Sequence, residues 1–191
     1  MGARQESVEQ TRLRITEATM GLHERVGPAA TTVSAIAEEA GVTRLTVYRH
    51  FPDEEALVGA CAHHWGALHP RPDVAAWSQI HDPVRRLRTA LGQTYVWSRE
   101  AAPMMLHIYR DLDAMPAFVA QLLADDERVR VAALVAGFGA RGRARARLEG
   151  VLAHALHVRT WHSLCCAGGL RDDEAVDAMT AAALAAAGGA R

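Results

Sequence analysis

The stretch from Thr31 to Phe51 constrains the fold of this chain more than any other part of its sequence. Apolar residues recur at helical spacing before Gly41, and a second short helical pattern follows it. Gly41 can adopt the positive φ of a tight turn, and the Thr43 hydroxyl is suited to cap the second helix. This arrangement is typical of a helix-turn-helix, whose second helix enters the major groove of DNA.

The residue types in this stretch are more specific than their spacing, because any pair of short helices can place a glycine at its turn. The informative runs are Thr31–Val33, Ile36–Glu38, Ala40–Thr43, Thr46–Pro52 and Glu55–Leu57. Over about residues 13–58 these runs resemble the DNA-binding domain of the TetR family. The resemblance implies a dimeric transcriptional regulator, usually a repressor that a small molecule releases from DNA.

The turn and the second helix supply the candidate DNA contacts. Hydroxyl and imidazole groups can donate to phosphates, whereas Arg and Thr can reach base edges and Leu can meet a thymine methyl. In the alternative interpretation, Tyr48 and His50 only pack against the two helices or cap them. Leu45 stands where the family usually has a small residue, and Glu54 where it usually has Lys, which removes a phosphate contact. The predicted DNA-binding residues are Thr31, Thr43, Arg44, Leu45, Thr46, Tyr48, Arg49 and His50.

The charge balance bears directly on DNA binding. The formal net charge is −1, and all 21 basic residues are Arg. The first 60 residues hold six Arg against nine Asp or Glu, so affinity for DNA has to come from the local placement of a few cations, hydroxyls and backbone N–H groups. The same balance motivates a second hypothesis, a small-molecule binding or sequestering protein with weak or vestigial DNA binding.

The rest of the chain shows helical patterns and no strand-like alternation. The predicted helices cover about 6–26, 32–40, 44–50, 52–68, 83–99, 104–114, 116–138, 144–167 and 172–187. We therefore expect an all-α protein with a three-helix helix-turn-helix domain at 6–65, whose motif is 31–50. A helical ligand-binding and dimerisation domain follows at 66–191. Residues 1–5 and 188–191 are expected to fray.

The last two predicted helices carry apolar residues on more than one side. Such helices have to be buried on several faces, and a monomer of 191 residues offers little room for that. We expect a twofold interface in which both copies form a four-helix bundle, and a single internal core is the alternative. The predicted interface residues are Leu152, Leu156, Val158, Val176, Met179 and Ala183.

Aromatic, Met and His residues gather in the second domain of an otherwise Ala-rich sequence. They can line an apolar cavity with a few polar anchors, the usual form of a small-molecule site, or form an ordinary core. Because these helix faces have no Lys and few acids, we expect a neutral or weakly polar effector with an apolar or aromatic body. The predicted ligand-binding residues are Leu91, Tyr95, Met104, Met105, His107, Ile108, Phe118, Leu122, Trp161 and His162.

Other classes of site find little support in the sequence. His162 with Cys165 or Cys166 has a spacing that could bind zinc with help, but such residues are more often polar groups at an interface, so no metal or cofactor is predicted. No catalytic arrangement is recognisable, so an enzyme is not expected. No apolar run is long enough to span a bilayer and no signal peptide is recognised, so we expect a cytoplasmic protein.

Overall fold

The computed structural model describes residues 2–188, whereas Met1 and residues 189–191 lie outside the described residues. Every regular element in that range is helical, so the predicted all-α class is confirmed. Gly2–Gln5, which we expected to fray, belong to the first helix. The α-helices are α1 (Gly2–Arg25), α2 (Val33–Glu39), α3 (Arg44–His50), α4 (Glu54–Leu68), α5 (Val74–Ser78), α6 (Pro83–Arg110), α7 (Ala117–Val135), α8 (Gly142–Ala155), α9 (Val158–Trp161) and α10 (Asp172–Ala186).

Side-chain caps set the start of each helix in the motif region. Thr32 caps α2, Thr43 caps α3 and Asp53 caps α4, and each accepts the backbone N–H three residues later, at 3.2, 3.2 and 2.7 Å. Gly41 has φ 63°, as the predicted tight turn requires. Helices as short as α2 and α3 are not stable alone in water, so these caps and the packing beneath them hold the motif.

The first four helices pack around a small apolar core. Its central members, Ile15, Val47 and Phe51, are at most 2% exposed. Burying a side chain of this size stabilises the fold by about 1.5–3 kcal/mol. The remaining buried members are Ala18, Ile36, Ala37, Ala40 and Leu57. This core therefore anchors α3 through Val47.

The structure corrects the predicted helices at two places. Pro103 does not separate two helices but lies inside α6, which runs on to Arg110. Proline removes one backbone N–H from a helix, and the burial of the neighbouring Met104 and Met105 offsets that loss. The predicted helix 144–167 instead ends at Ala155, because the His157 imidazole caps a new helix by accepting the N–H of Arg159 at 3.1 Å.

The chain divides into two compact units. The N-terminal unit comprises the described residues of 1–70 and 103–120, and the C-terminal unit those of 71–102 and 121–191. The helix α6 is thus one continuous element that contributes residues to both units. The functional division at about residue 65 that the sequence suggests stays a prediction.

No helix within residues 2–188 combines the length and the apolar character that a membrane span needs.

Candidate DNA interface

The helix α3 presents a continuous exposed face to solvent. Val47 is 2% exposed and anchors the helix, whereas Leu45 is 79% exposed and Tyr48 is 47% exposed. Arg44 and Arg49 are also exposed. Because Val47 points inward, these four side chains are left on the outer side of the helix, where a recognition helix makes its base and phosphate contacts.

The end of α3 is held in place by Arg12 of α1. The Arg12 guanidinium donates to the backbone carbonyl of His50 at 2.6 Å and lies 4.1 Å from the centre of the Phe51 ring. A cation at the C-terminal end of a helix is favoured by the helix dipole. Sequence reasoning missed this role, because Arg12 lies on the polar side of α1 and only tertiary packing brings it to α3.

The threonines of the motif are partly engaged within the chain. The Thr43 and Thr46 hydroxyl oxygens lie 2.9 Å apart, so one hydroxyl donates to the other and one proton is left for another acceptor. The Thr31 hydroxyl donates to the Gly27 carbonyl at 2.8 Å. A hydroxyl has a single proton, so Thr31 cannot donate to a phosphate in this arrangement.

The exposed cations of α3 have no carboxylate partner among residues 2–188, which leaves Arg44 and Arg49 available for phosphates or bases. Of the acids in the motif, Glu39 is paired with Arg25 at 2.9 Å. Burial, with Arg49 and Arg12 nearby, lowers the pKa of His50. The neutral imidazole form of His50 is therefore favoured in the free protein, and this form can still contribute a hydrogen bond.

The end of α6 is hydrogen-bonded to the turn at 26–29 that follows α1, called here the corner after α1. Asp111 accepts the backbone N–H of Ala29 at 3.1 Å, and Arg110 donates to the carbonyl of Val26 at 2.9 Å. His107, predicted as a ligand-binding residue, lies with its Nδ1 3.0 Å from the carbonyl of His23. A carbonyl only accepts, so this nitrogen carries the proton. The Gly-Pro pair after α1 was the one hint of this contact in the sequence.

The predicted ligand-binding residues fall in both units. The N-terminal unit contains Met104, Met105, His107, Ile108 and Phe118, and the C-terminal unit contains Leu91, Tyr95, Leu122, Trp161 and His162. Two of the latter, Leu122 and His162, are exposed. Two others use their polar atoms within the C-terminal unit: Tyr95 donates to the Ala155 carbonyl at 3.1 Å, and Trp161 donates to Asp172 at 3.2 Å.

Buried hydroxyls without a partner offer better polar anchors in the C-terminal unit. Thr94 and Ser98 lie one turn apart on α6 and are 1% and 0% exposed. Neither hydroxyl has a hydrogen-bond partner among the described residues. Leaving a buried hydroxyl unpaired costs about 1–3 kcal/mol. The sequence signal was a Thr and a Ser four residues apart within a helix, and the sequence reasoning did not use it.

Most of the predicted interface residues are core residues of a single chain. Leu152, Leu156, Val158, Val176 and Ala183 are at most 7% exposed within one copy, so a partner could not reach them. Met179 is partly exposed and lines a shallow groove of about 440 Å³ between α8 and α10, where its neighbours are Ala146, Arg147, Gly150, Val151, His154, Ala182 and Ala186. The exposed apolar surface in this groove thus combines small residues with Val151 and Met179.

The residues considered as zinc ligands lie on a π-helical turn, His162–Ala167. Cys166 is exposed and Cys165 is half-buried. Burial, followed by the nearby Asp172 carboxylate, raises the pKa of the Cys165 thiol to about 11, so this sulfur is protonated at pH 7. Within residues 2–188, no three His, Cys, Asp or Glu side chains are placed to hold a metal ion together.

Comparison with known proteins identifies the segment that contains this interface. A sequence model of the tetR family of bacterial regulatory proteins matches residues 15–61, from α1 to the middle of α4. The chain is also 35% identical over 91 residues to the HTH-type transcriptional regulator TtgR of Pseudomonas putida. That match covers 47% of this chain and 43% of TtgR, so the chain spans less than half the length of this curated relative.

Solved structures share the fold of the whole chain. A tetR-family transcriptional regulator from Streptomyces coelicolor superimposes with a TM-score of 0.64 at 19% identity, covering 97% of this chain and 82% of that one. A putative fatty acid metabolism regulator from Clostridium perfringens gives 0.61 at 16% identity, covering 93% and 98%. The family model shows that residues 15–61 are a DNA-binding domain of the tetR family of bacterial regulatory proteins.

Proposed function

We propose that this protein is a DNA-binding transcriptional regulator that acts as a homodimer on a palindromic operator, as a repressor. The observation that carries the proposal is the outer face of α3, where Arg44, Tyr48 and Arg49 are exposed. The helix that presents them is anchored by Val47 and by the contact of Arg12 with His50. The name of the relative TtgR, an HTH-type transcriptional regulator, supports the same function.

The acidic balance of the first 60 residues does not prevent this function. Phosphate contacts depend on where the cations lie rather than on net charge. Two exposed Arg residues point outward from the recognition helix, whereas Glu39 at the end of α2 is neutralised by Arg25. The local surface is therefore more favourable to DNA than the composition suggests.

Two copies are needed for a palindromic operator. Their recognition helices have to lie about 34–36 Å apart to enter successive major grooves. We place the twofold interface on the groove between α8 and α10, because small residues such as Gly150 and Ala182 let helices of two copies approach closely. The buried leucines of the same helices support this surface from within one chain.

The effector is a small, mostly apolar and neutral molecule, bound by the C-terminal unit. Thr94 and Ser98 supply hydrogen bonds that the folded chain leaves unmade. The effector acts by population shift, through its higher affinity for one of two conformers. In the conformer that it favours, α4 swings and the recognition helices leave the spacing of successive grooves. Because α6 contributes to both units, its last turn passes the change to the corner after α1.

Fluorescence anisotropy with DNA that flanks the protein's own gene tests the proposal. We expect a specific complex at low salt whose affinity falls as salt rises. Arg44→Ala and Arg49→Ala should weaken it. The matched control is Arg85→Ala, another exposed arginine, which lies at the start of α6. Absence of any specific complex at low salt would support the sequestering hypothesis instead.

A further inference from the structure

A cavity of about 360 Å³ lies inside the N-terminal unit, directly behind the recognition helix. Its walls are largely apolar and include Val47, Leu57 and Met115. Apolar cavities of about 150 Å³ already admit benzene. This space is therefore large enough for a molecule of one or two rings, and it is separate from the effector residues of the C-terminal unit.

One polar side chain in the cavity wall has unused hydrogen-bonding capacity. His23 is 5% exposed, and its Nδ1 has only a weak contact, 4.0 Å from the Cys61 sulfur. The ring makes no other hydrogen bond to the described residues. Burial lowers the pKa of His23 to about 4, so at pH 7 the neutral imidazole can accept a hydrogen bond from a ligand.

The rim of the cavity is negatively charged. Asp53 and Glu54 both line it, and no arginine does. Asp53 uses one carboxylate oxygen to cap α4, whereas the Glu54 carboxylate has no ion pair with a described side chain of residues 5–188. Two carboxylates at the mouth of an apolar space favour a cation with an apolar body and disfavour an anion.

We propose that this cavity is a second ligand site, which takes a small organic cation: a protonated amine at Asp53 and Glu54 with an aromatic or aliphatic body in the space beyond. The site is distinct from the effector site of the proposed function. Val47 and Tyr48 of α3 form part of its wall. If α3 can take two positions, an amine that binds the protein more tightly in one of them shifts α3 toward that position. Operator affinity then changes by at most the ratio of the amine's affinities for the two states.

Isothermal titration calorimetry of the full chain with 2-phenylethylamine tests the charge preference. The neutral counterpart is 2-phenylethanol and the anionic counterpart is 3-phenylpropionate. We expect saturable binding of one amine per chain, at least tenfold weaker binding of the alcohol, and no binding of the carboxylate. No saturable heat with the amine, or equal affinity for amine and alcohol, would overturn the proposal.

Two pairs of variants locate the binding. Glu54→Gln should lower the affinity for the amine several-fold. Glu55→Gln removes the same charge from the same helix turn, but Glu55 lies off the cavity wall, so this variant should bind the amine as wild type does. Met115→Trp should fill the space and abolish binding, whereas Met115→Ala should retain it. A melting curve by circular dichroism shows that each variant is folded.

Equal affinities of the two Gln variants, or full binding by Met115→Trp, would place the amine elsewhere and overturn the site. Neither result touches the proposed regulatory function, because operator binding without amine is measured separately. Loss of the operator complex with intact amine binding would in turn leave this site standing.

Discussion

Asp111 accepts the backbone N–H of Ala29 at 3.1 Å, although the two residues are 82 positions apart in sequence. The same carboxylate receives two hydrogen bonds from Arg110, at 2.6 and 2.8 Å. The corner can approach this closely because residue 27 is glycine, with φ 91°. A Cβ atom there would lie 2.5 Å from the Asp111 carboxylate. The end of α6 and the corner after α1 therefore form one hydrogen-bonded joint.

Asp111→Asn should destabilise this joint in a pH-dependent way. The hydrogen bonds from Arg110, helped by the Ala29 N–H, lower the pKa of Asp111 from 3.8 to about 2. Since the folded pKa is depressed, the stabilisation is present above about pH 4 and is lost as the pH falls toward 2. We expect Asp111→Asn to lower the free energy of unfolding by about 1 kcal/mol at pH 7. The effect is modest because Arg110 is half exposed and water screens its charge. Urea unfolding at pH 7, 5, 4 and 2.5 measures it, and a difference that persists unchanged at pH 2.5 contradicts this account.

His23 should make the wild-type protein less stable in mild acid. Burial lowers the pKa of His23 from 6.5 to about 4. Between pH 6.5 and 4, this imidazole is therefore protonated in the unfolded chain and neutral in the folded chain. Stability should therefore fall by on the order of 3 kcal/mol as the pH drops from 6.5 to 4. In thermal melts between pH 6.5 and 4, His23→Leu should lose less stability than wild type. The control His63→Gln, at an exposed residue, should lose as much as wild type. An equal slope in His23→Leu and wild type would show that His23 does not titrate this way.

Arg44 and Tyr48 should affect DNA binding in different ways. If Arg44 reads a base, Arg44→Ala weakens operator binding by about 1–3 kcal/mol and relaxes specificity at one position per half-site. Tyr48→Phe removes the hydroxyl that we expect to contact a phosphate, so binding to operator and to non-operator DNA should weaken about equally. Anisotropy with matched and scrambled operators separates the two. Wild-type affinity in both variants would rule out the docking of α3 described above.

Thr94→Val should stabilise the ligand-free protein and impair its response to effector. Valine has nearly the shape of threonine and removes a buried hydroxyl that has no partner among the described residues, so the melting temperature should rise. An aromatic compound that stabilises wild type in a thermal-shift screen should then stabilise the variant less, with operator affinity intact. Leu91→Trp and Trp161→Ala should also alter the response. A lower melting temperature for Thr94→Val would show that the hydroxyl is satisfied in solution.

Ala182→Glu should produce folded monomers, because Ala182 lines the groove between α8 and α10 and is partly exposed. Ala181→Glu places the same charge on an exposed face outside that groove and should remain dimeric. Leu156→Asp should instead unfold the unit, since Leu156 is 2% exposed within one chain and a buried unpaired charge is costly. Sedimentation velocity and circular dichroism distinguish these outcomes. A dimeric Ala182→Glu protein would remove the groove from the interface.

Local chemistry made the motif predictable. Thr43, Gly41 and the spacing of Val47 determine a cap, a turn and a buried position within a few residues of one another, so the start and end of α3 follow from the sequence. The same local reasoning failed at Pro103, where the burial of neighbouring residues outweighs the lost hydrogen bond. It failed again at His157, whose imidazole caps a helix in place of a more usual residue.

The sequence by itself determined the helical class and the tetR-type helix-turn-helix domain, because helical periodicity, caps and turn residues act over a few positions. Only the tertiary structure decided which apolar residues remain for a partner. Leu152 and Leu156 are buried in the core of their own chain, whereas the groove between α8 and α10 exposes small residues together with Val151 and Met179. It also decided that Arg12 holds α3 and that Asp111 holds the corner after α1. Those contacts join residues 38 and 82 positions apart, and no local pattern encodes such a pairing.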